Sequence, residues 1–181
     1  MMEKKTTMSK QTKCLVYAAV CLALCMVLPF LTGQIRSIGN TLCPMHIPVL
    51  LAGFLCGPWW ALAVGATAPL LRFALFGMPA IFPMGIAMCF ELATYGLVCG
   101  LLYRTLPKRV SNIYVSLISA MACGRIIWGV VRALLSGVAQ SPFTWATFWA
   151  GAFSTAVPGI IVHIVLIPLI VLTMKRAKLM E

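Results

Sequence analysis

Acidic side chains are almost missing from this chain. Its 181 residues hold three, Glu3, Glu91 and Glu181, against fourteen Lys and Arg, for a formal net charge of +11. Charged residues make up only 9% and hydrophobic types 62%, where soluble domains carry roughly a quarter and roughly half. So little polar surface cannot cover a water-soluble fold, which excludes a soluble enzyme. The apolar content also excludes a disordered tail, because low hydrophobicity is what prevents collapse. Nucleic-acid binding would gather Lys and Arg on one face or helix, whereas here short basic clusters separate long apolar runs. Catalytic signatures are lacking too: there is no Gly-rich loop ending in Lys-Ser/Thr, no His-Glu-x-x-His, no paired catalytic carboxylates and no Ser/His/Asp arrangement. No internal repeat of the kind carried by many secondary transporters is visible. The pattern that remains is that of a membrane protein.

Eight cysteines (14, 21, 25, 43, 56, 89, 99 and 123) are scattered, all but Cys43 within or at the edges of apolar stretches. They read as small buried hydrophobes and not as a disulfide framework. Apolar runs predict six spans, at 14–33, 46–57, 59–77, 81–103, 112–136 and 146–173. The expected architecture is an all-α bundle of six transmembrane helices over residues 14–174, between a basic N-terminus (1–13) and a basic C-terminus (175–181). The first run is about 20 residues long, beyond a usual signal core, and no small-x-small cleavage site follows it, so it is expected to be retained. Gly57-Pro58 divides the stretch from His46 to Phe76, since proline lacks the donor a continuing helix needs and glycine tolerates the turn.

Charge placement tests this count independently. Ten of the fourteen basic residues fall in three clusters: Lys4, Lys5, Lys10 and Lys13; Arg104, Lys108 and Arg109; Lys175, Arg176 and Lys178. The positive-inside rule puts all three in the cytoplasm, so an even number of crossings separates each from the next. Six crossings satisfy this. Four would as well, if residues 46–77 formed a re-entrant hairpin buried in protein. Six is the expectation, with a multi-pass chain in the plasma membrane, both termini cytoplasmic, and connections 34–45, 78–80 and 137–145 facing outward.

Four ionisable residues lie inside the spans: Arg72, Glu91, Arg125 and Arg132. Each costs roughly 3 kcal/mol near the bilayer centre on insertion scales, so each needs a partner or a cavity. At 1.5 Å rise per residue, Glu91 and Arg125 share a depth and are expected to pair, either as a tie between helices or as part of a ligand site. Arg125, Trp128 and Arg132 form one polar-aromatic stripe, the make-up of a ligand face. Arg72 and Arg132 could instead snorkel to outer headgroups. Three intramembrane Arg against one Glu favour an anionic guest, a carboxylate or phosphate.

Other positions carry weaker signals. His163 sits mid-span, where packing and ligand binding are both open readings. Asn40 and His46 flank the first outward connection, and Cys43, Met45 and His46 are a weak soft-metal trio. Trp145, Trp149, Trp59 and Trp60 are placed as belt anchors. Ala19-x-x-x-Ala23 and Gly96-x-x-x-Gly100 allow close helix approach, inside the bundle or to a partner subunit. A small bundle that binds an anion without an engine of its own suggests a separate energising partner.

The stretch Asn40-Thr-Leu-Cys-Pro-Met-His-Ile-Pro-Val-Leu-Leu-Ala-Gly-Phe-Leu-Cys-Gly-Pro-Trp-Trp-Ala61 resembles the substrate-binding S components of energy-coupling factor (ECF) importers. Its likeness is to the branch with pantothenate, pyridoxine and hydroxymethylpyrimidine proteins, which show His-Ile-Pro, an apolar run and Gly-Pro. The tail Pro158-Gly-Ile-Ile-Val-His-Ile-Val-Leu-Ile-Pro168 is similar to their last span, which commonly has Gln in place of His163. That departure bears on ligand identity, not on family. The resemblance implies a non-enzymatic protein that captures a small vitamin or vitamin precursor from outside, with no cofactor in this chain. ATP would be used by two partner ATPase subunits, and a transmembrane scaffold subunit would dock on the alanine motif matched by Ala19 and Ala23. It places the ligand among Asn40, Glu91, Tyr95, Arg125, Trp128, Arg132 and His163. A self-sufficient small carrier or channel, and a membrane-embedded enzyme using His163 or a Cys, are the rival readings.

Overall fold

The fold follows from apolar segments that have no water to satisfy their backbones, so each closes its hydrogen bonds within a helix. A computed structural model describes residues 9–31, 42–139, 144–151, 156–177 and 179–180. In chain order the helices are α1 (Lys10–Leu31), α2 (His46–Cys56), α3 (Pro58–Phe76), α4 (Ile86–Thr105, entered through a π-helical turn at Ile81–Gly85), α5 (Val110–Ala139), the short α6 (Trp145–Trp149) and α7 (Val157–Arg176). No strand occurs among the described residues.

Five helices, α1, α3, α4 with its π-helical turn, α5 and α7, are long and apolar enough to cross a membrane. The second expected span is the 11-residue α2, about 16 Å long and so about half a hydrocarbon core. The break expected after it is present: Gly57 adopts φ 86, and Pro58 opens α3 at a position where no donor is needed. The last expected span, 146–173, falls on two described helices, Trp145–Trp149 and Val157–Arg176; Pro158, lacking an N–H, sits in the first turn of the second, where that N–H is not needed.

Described members of the three basic clusters meet at one end of the bundle. The Lys175 Nζ donates to the Lys108 carbonyl at 3.2 Å, Lys10 and Arg104 act electrostatically on Lys108, and Arg104 lies over Gly57. At this basic end α1 therefore begins, α2 hands over to α3, α4 to α5, and α7 finishes.

Helix α4 is the hub, packed against α2, α3 and α5. Its approach to α3 is very close: a Cβ on Gly96 would meet the Ala61 carbonyl, one on Gly100 would meet Pro58, and one on Gly65 would meet Leu92. The Gly96-x-x-x-Gly100 motif is thus spent on packing inside the chain. Cys21, Cys25 and Cys99 are buried in the same core, and all eight cysteines are free thiols.

Candidate functional site

Glu91 lies in the second turn of α4 and is 1% exposed, so its carboxylate must be satisfied by protein groups. Three donors converge on one oxygen. Tyr95, one turn along α4, donates its hydroxyl to Glu91 Oε1 at 2.9 Å; the Arg125 guanidinium of α5 lies 3.1 Å away; His46 Nε2, at the first residue of α2, is at 3.4 Å. The pairing of Glu91 with Arg125 expected from their common depth is therefore present.

Local sequence explains the geometry. Gly124 precedes Arg125, and the Tyr95 ring occupies the space a Cβ there would take; this lets α4 and α5 approach until Arg125 reaches Glu91. Cys43 takes a left-handed conformation (φ 47), and the His46 N–H closes on its carbonyl at 3.0 Å. That turn aims the Cys43 Sγ at Arg125 Nη2, 3.8 Å away. His46 then stacks on His163 of α7, with ring centroids 5.9 Å apart and planes at 18°. Four helices and the 42–45 turn thus meet at one charged centre.

Not every hydrogen-bonding position is used. Among the described residues, His46 Nδ1, Arg125 Nε and both ring nitrogens of the 1%-exposed His163 complete no hydrogen bond, although the His163 ring faces the Cys43 backbone. A buried polar atom left so costs about 1–3 kcal/mol, and four of them gather around the same centre. Such a group can bind a guest with a hydrogen-bonding edge.

The remaining predicted positions divide. Trp128, one turn beyond Arg125, is buried and stacks on Phe148 (centroids 6.5 Å, 30°). Gly129 leaves room for the Phe148 ring and Gly151 for the Trp128 ring, and Trp145 and Trp149 extend this aromatic layer from an exposed position. Arg132 is half-buried, one further turn along the face that carries Arg125 and Trp128. Asn40 lies outside the described residues. Arg72 belongs elsewhere: it neither snorkels nor joins this centre, but is 5% exposed, donates to the Met26 carbonyl at 2.9 Å and lies between the rings of Phe30 and Phe76 at 5.5 and 5.3 Å. It ties α3 to α1 one turn before Pro29 of α1.

Sequence reasoning did not place His46 and Cys43 at the ligand site: it weighed both with Met45 as a weak soft-metal trio, and read His46 besides as flanking the first outward connection and opening the His-Ile-Pro motif. Among the described residues no group of three or more His, Cys, Asp or Glu is placed to hold a metal; His46 and Cys43 instead engage Glu91 and Arg125. The available signal was His46-Ile-Pro48 opening a helix directly after the turn-forming Cys43-Pro44, which puts both side chains at that helix's start. Ala19 and Ala23 lie on the exposed side of α1, opposite the buried Ala18, Cys21 and Cys25.

Comparison with curated proteins and with solved structures gives no match. The chain does match the family described as ECF transporter, substrate-specific component, over residues 13–171. A match of that extent takes in most of every long helix and every residue of the Glu91 centre, so this membrane protein belongs to the substrate-specific components of ECF transporters.

Proposed function

We propose that the chain captures a small anionic vitamin or vitamin precursor outside the cell and delivers it through a transmembrane scaffold driven by two ATPase subunits. Within the family, the branch with pantothenate, pyridoxine and hydroxymethylpyrimidine proteins is the proposed relation. The observation that carries the site is the set of buried nitrogens around Glu91, on His46, Arg125 and His163, that complete no hydrogen bond among the described residues. A ligand edge of donors and acceptors satisfies them. Charge selects the class of guest: Glu91 is the one acid in the spans, while Arg125 and Arg132 bring two positive charges to the same half of α5, and net positive charge in a low-dielectric site favours an anion. In this reading Arg132 holds the anionic group, Trp128 and its aromatic layer bound an apolar ring, and Glu91 with Arg125 and Tyr95 forms the floor. His163 takes the hydrogen-bonding edge, and Asn40 contributes from the connection before the 42–45 turn.

The basic end is then cytoplasmic and the site opens outward. The chain crosses the plasma membrane six times, with α2 as the second crossing, and both termini are inside. The exposed Ala19 and Ala23 face of α1 meets the scaffold.

The test is ligand identification by mass spectrometry of what co-purifies with the full chain, followed by calorimetric titration. Losing a charge-assisted contact worth about 1.5–3 kcal/mol, Arg132→Ala is expected to weaken binding by roughly 10- to 100-fold. A folded Arg132→Ala protein with unchanged affinity removes the anion argument. Turnover by the isolated chain would favour an enzyme, and flux in liposomes holding only this protein would favour a self-sufficient carrier.

A further inference from the structure

Two features at the opposite end from Glu91 are unused by this function. The first is electrostatic. Lys108, in the α4–α5 connection, donates its ammonium to the Tyr103 carbonyl at 3.0 Å and sits 3.6 Å from the centre of the Tyr103 ring. The Lys175 ammonium lies 5.8 Å from the same ring. Two like charges lie against one aromatic ring, with Arg104 and Lys10 acting on Lys108 as well. Burial first, and then those neighbouring charges, lowers Lys108 below the usual lysine range. Among the described residues the one acid is Glu91, at the other end of the bundle. The Tyr103 hydroxyl is buried, with no hydrogen-bond partner among the described residues.

The second is apolar. A groove of about 300 Å³ lies between α5 and α7, lined by Tyr114, Ile164, Val165, Pro168, Leu169 and Leu172. On α7 these positions recur at helical spacing, and the next turn on that stripe is Lys175 and Arg176. The groove therefore runs directly into the basic end. From Ile164 to Leu172 it extends about 12 Å along the helix, within one leaflet's share of a hydrocarbon core of about 30 Å.

We infer that this basic end and the α5–α7 groove together form a binding site for an anionic phospholipid, its phosphate between Lys108 and Lys175 and one acyl chain in the groove. Neither feature alone selects that occupant. A free phosphate has no use for the groove, and a zwitterionic lipid brings no net negative charge to the clustered ammonium groups.

The test is native mass spectrometry of the full chain titrated with phosphatidylglycerol, with phosphatidylcholine of the same acyl chains, and with glycerol 3-phosphate as a headgroup without chains. The wild-type protein is expected to prefer phosphatidylglycerol to both. Removing two lysines that each favour an anionic surface, in Lys108→Gln/Lys175→Gln, should weaken phosphatidylglycerol about 25-fold and leave phosphatidylcholine unchanged. Leu169→Trp, which fills the groove, should weaken both lipids. Equal wild-type affinity for the two lipids overturns the inference without any variant, and so does unchanged phosphatidylglycerol binding in the double variant. Glycerol 3-phosphate bound as tightly as phosphatidylglycerol would show a phosphate site with no acyl subsite and overturn it as well.

Discussion

The Glu91–Arg125 pair permits a quantitative test of how the site is held. Glu91 is almost fully enclosed and its partner side chain is 10% exposed, so neither charge can turn to water when the other is removed. Glu91→Gln leaves the guanidinium without its carboxylate, and Arg125→Met leaves the carboxylate with Tyr95 and His46 alone; each is expected to cost about 3–5 kcal/mol, the range for breaking a buried pair from one side. In the double variant no charge is stranded. What remains lost is the strength of the bonds from Tyr95 and His46, about 1 kcal/mol each. The double variant should therefore be several kcal/mol more stable than the sum of the single effects implies. Reversible unfolding in mixed micelles, followed by tryptophan fluorescence as the SDS fraction rises, measures all four proteins. Additivity within about 0.5 kcal/mol, the behaviour of independent sites, would refute the claim that this pair organises the centre.

Two further outcomes follow from the same geometry. Gly124→Ala places a methyl group in the space of the Tyr95 ring and should destabilise by about 1–3 kcal/mol, with Tyr95→Leu partly restoring stability in that background; an unfolding midpoint equal to wild type would contradict the contact. Ala19→Leu, on the exposed side of α1, should abolish co-purification with the scaffold subunit while ligand affinity stays at the wild-type level, and a complex that survives would move the docking face elsewhere.

Properties that add up residue by residue were legible in the sequence. Hydropathy and charge are local free energies, so the apolar spans, the break at Gly57-Pro58 and the basic clusters could be read along the chain. Depth was legible too, because helical rise is constant, and it matched Glu91 with Arg125. Rotation about each helix axis was not legible. Apart from the Arg125, Trp128 and Arg132 stripe of α5, these helices are apolar nearly all round, so no other polar stripe announces which face turns inward. Only packing decided that His46 reaches Glu91 across 45 positions and Cys43 reaches Arg125 across 82, that Arg72 finds a carbonyl and two rings instead of a headgroup, and that Trp128 lies on Phe148. The physical reason is distance along the chain: a contact between remote residues depends on how close two helices can come, and here glycines at 65, 96, 100 and 124 set that approach.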